Sequence, residues 1–227
     1  MQIKADNYKN EGMYLHFENG DFLDLSIDNV KRLADEYWNN PKLLPAYIRD
    51  NDFFKTCTVC PYRGQDVFCS AVKPLLPFLE KIENFLSYSK VTAVYVNKEG
   101  LIQIKNVQLQ KALQYITSMA IFEYCEDAKQ YQKYFKGIMP FMEVREIAAR
   151  LFLNVYWLNN SDMALTKKSI KEMTEAVTIT SKSCVQRLRL MCKSDAFINA
   201  YVNTQVYSML LSEVDEVFVE RYFLSKP

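Results

Sequence analysis

Three cysteines fall within thirteen residues: Cys57-Thr58-Val59-Cys60, then Pro61 onward to Cys69. Two intervening residues and then eight is a spacing that lets thiolates converge on one metal ion. A tetrahedral zinc or a cubane iron–sulfur cluster takes four protein ligands, and this loop supplies three. The fourth must come from Cys125, Cys184, Cys192, His16 or a carboxylate. Cys184 and Cys192 are eight apart on an expected helix, roughly 12 Å along its axis, so they cannot both reach one ion while that helix is intact. Cys125 stands at the end of an expected helix in Glu123-Tyr124-Cys125-Glu126-Asp127, where the backbone is able to turn toward a neighbouring loop. Cys125 is therefore the favoured fourth ligand. Taken singly, Cys125, Cys184 and Cys192 read as ordinary buried cysteines.

Zinc suits a closed four-thiolate site that ties the loop to the rest of the chain, and its binding energy would add to folding. Pro61 directly after Cys60 also fits an iron–sulfur ligand, which is the alternative. Tyr62, Phe68 and Tyr124 are placed to shield either group. A redox disulfide between Cys57 and Cys60 is disfavoured, because the usual strand leading into a helix is missing there.

Other catalytic chemistry is sparse. His16 is the single histidine and has no nucleophile motif beside it, so it reads as a partly exposed surface residue. Gly12, Gly20, Gly64, Gly100 and Gly137 are too scattered for a phosphate-cradling loop. Lys167, Lys168, Lys171, Lys182, Arg187, Arg189 and Lys193 make one segment basic. A solvated helix face is the plainer reading of it; a nucleic-acid or acidic-partner surface is the sharper one. Glu123, Glu126 and Asp127 read as surface charges at a helix end.

The elements that must position the cysteines follow from periodicity. Met13, Leu15 and Phe17 alternate with polar or amphipathic neighbours, Asn19-Gly20 marks a turn, and Leu23, Leu25 and Ile27 alternate back. A second hairpin fits 91–106, turning at Asn97-Lys98-Glu99-Gly100. The two hairpins are expected to form one antiparallel sheet of about four strands. A helix is predicted from Ile27 to Trp38, and another over Ala71–Phe85 made irregular by Pro74 and Pro77. From Gln108 the chain reads as helical: Leu109 to Cys125, Val144 to Trp157, and a pattern from Ala164 to Leu211 long enough to need a break. Glu213 to Phe223 forms a last acidic, then apolar segment. This is an α+β chain, with an α+β part over 1–106 carrying the cysteine loop and a helical part over 107–227, sharing one core.

Composition narrows the class further. Of 227 residues, 49% are hydrophobic, which is enough for a sizeable core without disulfide staples. The net charge of +1 gives no global field for nucleic acid or an anionic membrane. No stretch approaches the roughly 18 apolar residues of a membrane span, and the first residues carry no apolar leader. Ala148 to Leu158, the nearest candidate, contains Arg150 and Asn154. The expectation is a soluble cytoplasmic protein with no membrane partner. In a reducing compartment, clustered cysteines point to metal or redox chemistry rather than structural disulfides.

The order Cys57-x-x-Cys60-Pro61, Cys69 opening Ala71-Val72-Lys73-Pro74-Leu75-Leu76, a hairpin, then a helix ending at Cys125 resembles an uncharacterised family of bacterial proteins. That family carries four cysteines in this order, often each followed by proline, and a Leu-Pro-Phe-like motif after the fourth. Met139-Pro140-Phe141 occupies that place here, whereas Thr58, Ser70 and Glu126 stand where proline is usual. The resemblance covers roughly residues 13–160. It implies Cys125 as the fourth ligand and carries no activity with it. The expected function is non-enzymatic: a structural zinc site in a protein that interacts with an unknown protein partner or regulates it. An iron–sulfur redox sensor or electron carrier is the alternative, and a nucleic-acid-associated module ranks third.

Overall fold

The computed structural model describes residues 8–46, 57–63 and 69–212. Two hairpins build its sheet: β1 (Gly12–Phe17) with β2 (Phe22–Ser26), and β3 (Lys90–Val96) with β4 (Ile102–Gln108). The strand order is β2-β1-β3-β4, antiparallel throughout, with Met13 opposite Leu25 on one side and Tyr95 on the other. Alternation sets the faces. Met13, Leu15, Phe17, Leu23, Leu25, Val91, Ala93 and Tyr95 enter the main core. Tyr14, Val94 and Val96 point the other way and are covered by Tyr8.

Both hairpins turn by the same device. Gly20 N–H donates to Phe17 O (3.1 Å) and Phe17 N–H to Asp21 O (2.9 Å). Gly100 N–H donates to Asn97 O (3.0 Å) and Asn97 N–H to Leu101 O (3.1 Å). Gly20 (φ +92°) and Gly100 (φ +76°) take the left-handed position. These are three-residue loops closing on a glycine bulge. Asn19 is not left-handed, so the expected two-residue turn centred on Asn19-Gly20 is corrected. The asparagine side chain instead accepts a hydrogen bond from Asp21 N–H at 3.0 Å.

Helix α1 (Ile27–Asn39) follows directly from β2. After Cys69 the chain does not make the expected α-helix. It runs as a 3₁₀ segment, Ser70–Phe78, continued by Glu80–Ile82. Pro74 and Pro77 each delete an i→i−4 donor and crowd the carbonyl four residues back, so the chain falls to tighter i→i+3 bonding. Helix α2 (Leu109–Met119) leads into a wider π turn, Ala120–Tyr124, which stops at Cys125 in an extended conformation.

The carboxy-terminal half holds α3 (Val144–Leu158), α4 (Met163–Met191) and α5 (Ala196–Ser212). The break between α4 and α5 is pinned from far away in sequence. Asp195 accepts from Ser87 N–H at 3.0 Å, Ser87 Oγ–H at 2.9 Å and Asn199 Nδ2–H at 2.9 Å. Ser194 Oγ–H donates to Phe85 O at 2.7 Å. One buried cluster runs from Met13 of the sheet to Tyr201 of α5. Among the described residues no helix is long and apolar enough to cross a membrane. The segment expected over 213–223 lies outside the described residues.

Candidate functional site

A cavity of about 390 Å³ lies where the cysteine loop meets the end of the π turn and α4. Its walls include Cys57, Cys60, Cys69, Cys125, Cys184 and Arg187. Two successive turns present the first pair: Cys60 N–H donates to Cys57 O, and Arg63 N–H to Cys60 O, each at 3.1 Å. Cys69 precedes the 3₁₀ segment, and its carbonyl accepts from Val72 N–H at 3.0 Å. The π turn swings Cys125 inward, where its Sγ lies 3.7 Å from Thr180 Oγ1 of α4. The four cysteines expected as ligands thus border one cavity. Among the described residues no three His, Cys, Asp or Glu side chains are grouped closely enough to hold a metal ion as they stand.

Helix α4 contributes what the spacing of the loop did not reveal. Met173, Val177, Thr180, Cys184, Leu188 and Met191 form its buried stripe at helical intervals. Cys184 is fully buried on that stripe, and Tyr201 Oη–H anchors the neighbouring wall by donating to Ala71 O at 3.1 Å. The stripe was legible in the sequence and was the signal that could have placed Cys184 at the site. Cys192 caps α4 away from the cavity, and burial pushes its thiol up to about 12.

Arg187 overturns its expected place on a solvated basic face. It is only 7% exposed and borders the cysteine cavity. Among the described residues, its Nε and Nη1 are buried without hydrogen-bond partners. The rest of the basic segment is solvated as expected where it is described: Lys168 reaches Glu172 at 4.0 Å and Lys193 reaches Glu83 at 2.9 Å.

The thiols are not equivalent. Cys69 is pulled down to about 6, first by a hydrogen bond from Cys184 and then by the Arg187 guanidinium and the N–H groups of Ala71 and Val72, against the opposing effect of burial. Burial raises Cys57, Cys60 and Cys125. Cys184 is raised because its proton is held in the bond to Cys69 and because it is buried. A thiolate is the form that binds metals and reacts, so Cys69 is the sulfur most ready to do either.

The remaining candidates lie elsewhere. His16 is on the second face of the sheet, with Tyr8 Oη 2.6 Å from its Nε2 and Phe22 against its ring at 4.8 Å. Burial lowers its pKa. Tyr62 and Tyr124 line the cysteine cavity; Phe68 lies outside the described residues. Glu126 pairs with Lys129, and Glu123 faces Lys31 at 3.9 Å.

With this geometry in view, the chain belongs to a family described as a domain of unknown function (DUF6901), matched over residues 13–223. No curated protein and no solved structure matches it.

Proposed function

We propose that this protein is a non-enzymatic metal-binding protein in which Cys57, Cys60, Cys69 and Cys125 hold one structural zinc ion. The observation that carries this reading is Arg187. A buried guanidinium with unpaired N–H groups is costly unless an anion accompanies it. Without metal, Cys69 is the one thiol drawn toward its thiolate, and it accepts no hydrogen bond from Nε or Nη1. A zinc ion bound by four thiolates carries two net negative charges, and sulfur accepts hydrogen bonds from N–H groups in the surrounding shell. The donor set therefore fits the metal, and the buried cation fits the charge the assembly would carry.

The four sulfurs would close around the ion as it binds, coupling metal affinity to folding. The zinc would then fasten the loop carrying Cys57 and Cys60 to the 3₁₀ segment and to the end of the π turn. The helical half would remain available for a protein partner.

An iron–sulfur cluster is the second reading. A cavity of about 390 Å³ is larger than a single ion needs, and a fifth thiol, Cys184, lies on its wall. Elemental analysis of protein purified anaerobically, with its visible spectrum, separates the two. About one zinc per chain and no colour supports the first reading. Brown protein containing iron supports the second. A folded, metal-free protein from that preparation overturns both.

A further inference from the structure

Cys184 is the thiol that the four-ligand reading leaves unused. It is fully buried, lies on the wall of the cysteine cavity and is hydrogen-bonded to Cys69. Thr180, Cys184 and Arg187 follow one another at helical spacing on α4, so one face of that helix meets the site. Thr180 Oγ1 lies 3.7 Å from Cys125 Sγ, and one turn further on Cys184 meets Cys69. Tyr201 of α5 braces the contact from behind. Its Oη–H donates to Ala71 O at 3.1 Å, just after Cys69, and the same hydroxyl stands beside Cys184. Two helices and the start of the 3₁₀ run thus hold two thiols together from opposite halves of the chain.

The other thiols are placed differently. Cys57 and Cys60 share one turn of the loop, with Cys60 N–H donating to Cys57 O at 3.1 Å. Cys125 has a hydroxyl beside it, that of Thr180. Cys192 caps α4, roughly 12 Å along the axis from Cys184. Only from Cys69 to Cys184 does a thiol outside the ligand set touch one within it. Sulfurs already in hydrogen-bond contact have little distance to close before reaching the roughly 2 Å of a disulfide. Cys69 is partly exposed, on a cavity of about 390 Å³ that has room for a solute as small as hydrogen peroxide. Cys184 has no exposed surface. That difference assigns the roles: Cys69 meets the oxidant and Cys184 resolves the product.

We propose that hydrogen peroxide oxidises Cys69, that Cys184 resolves it as a reversible disulfide, and that a metal held by Cys57, Cys60, Cys69 and Cys125 is thereby released. The Cys69 sulfur takes one peroxide oxygen as the O–O bond breaks, giving a sulfenic acid. The other oxygen leaves as hydroxide and is protonated by solvent to water. The Cys184 sulfur then displaces the hydroxyl group from Cys69, forming the S–S bond, and the hydroxyl leaves as water with the Cys184 proton. Two electrons pass from the two sulfurs to the peroxide. A disulfide sulfur is no longer a thiolate, so the site keeps three donors of its four. The release of metal rests on the zinc reading proposed above; the disulfide does not.

The test exposes the full chain, purified anaerobically, to hydrogen peroxide, and reads peptide mapping by mass spectrometry together with a colorimetric zinc indicator. Trypsin cuts at Arg63, Lys182 and Arg187, which puts Cys69 and Cys184 in separate peptides, both apart from Cys57 and Cys60. A linked Cys69–Cys184 peptide should appear with loss of about one zinc per chain. Dithiothreitol and fresh zinc should reverse both changes. Cys184→Ala should form no link; its Cys69 should go on to sulfinic acid, and dithiothreitol should no longer restore zinc binding. Cys192→Ala should behave like the parent, and circular dichroism checks that both variants are folded. Absence of a disulfide, a link confined to Cys57 and Cys60, or sulfinic acid at Cys69 of the parent protein overturns the proposal. A linked peptide with zinc still bound overturns the release step. A linked peptide from protein that held no zinc beforehand upholds the disulfide and overturns the zinc reading alone.

Discussion

At the scale of single residues, Arg187 is where the chain departs most from ordinary practice. Buried charges are normally paired, and its Nε and Nη1 are not. This makes a prediction with two opposite signs. Arg187→Met removes a cation that the metal-bound site, with its two net negative charges, needs more than the metal-free site, where it draws only Cys69 toward its thiolate. Zinc affinity should fall about 10- to 100-fold, the usual cost of losing an outer-shell partner. The metal-free protein should become no less stable, and chemical denaturation with and without chelator reads both quantities. Loss of stability only in the metal-free form would show that Arg187 serves packing alone. Neither the burial of Arg187 nor its lack of partners was legible in the sequence, where it sat among six other basic residues. Its i+3 spacing from Cys184, on the same helix face, was the one available hint.

At the scale of elements, legibility followed the range of the interactions. The hairpins were readable because alternation at Met13, Leu15 and Phe17 is local and period two. The turn type was not, because Asn19 spends its side chain on Asp21 N–H instead of adopting a left-handed backbone. Pro74 and Pro77 announced irregularity, although the extent of the 3₁₀ run depends on its burial beneath α1 and the π turn. The π turn itself carries no composition signal in Ala120-Ile121-Phe122-Glu123-Tyr124. The α4–α5 break was expected, but its position was not, since Asp195 finds its partner Ser87 across 108 residues. Asp195→Ala should therefore cost about 1.5–3 kcal/mol, the range for hydrogen bonds to a charged group. The midpoint of urea unfolding measures this, and Asp195→Asn should recover part of the loss. An unchanged midpoint for the alanine variant would mean that packing of Phe197 and Tyr201 alone fixes the break.

At the scale of the whole molecule, the cysteine cavity joins segments that are remote in sequence: the loop, the start of the 3₁₀ run, the end of the π turn and the middle of α4. That Cys57, Cys60, Cys69 and Cys125 come to one cavity was legible from spacing and from the helix end at Cys125. Cys184 was one candidate for the fourth ligand, outweighed by the helix end at Cys125; its place on the buried stripe of α4 brings it to the cavity wall as well. If an ion gathers these segments, its removal should loosen the fold as a unit, because a ligand that binds only the folded state stabilises it by mass action. The decisive measurement is thermal unfolding of anaerobically purified protein before and after treatment with a strong chelator, alongside Cys69→Ser and Cys192→Ser. The account predicts that chelation lowers the midpoint by about 10 °C, that Cys69→Ser reproduces the loss and no longer responds to chelator, and that Cys192→Ser behaves like the parent. Identical midpoints with and without chelator, and equal small effects of the two serine variants, would contradict it.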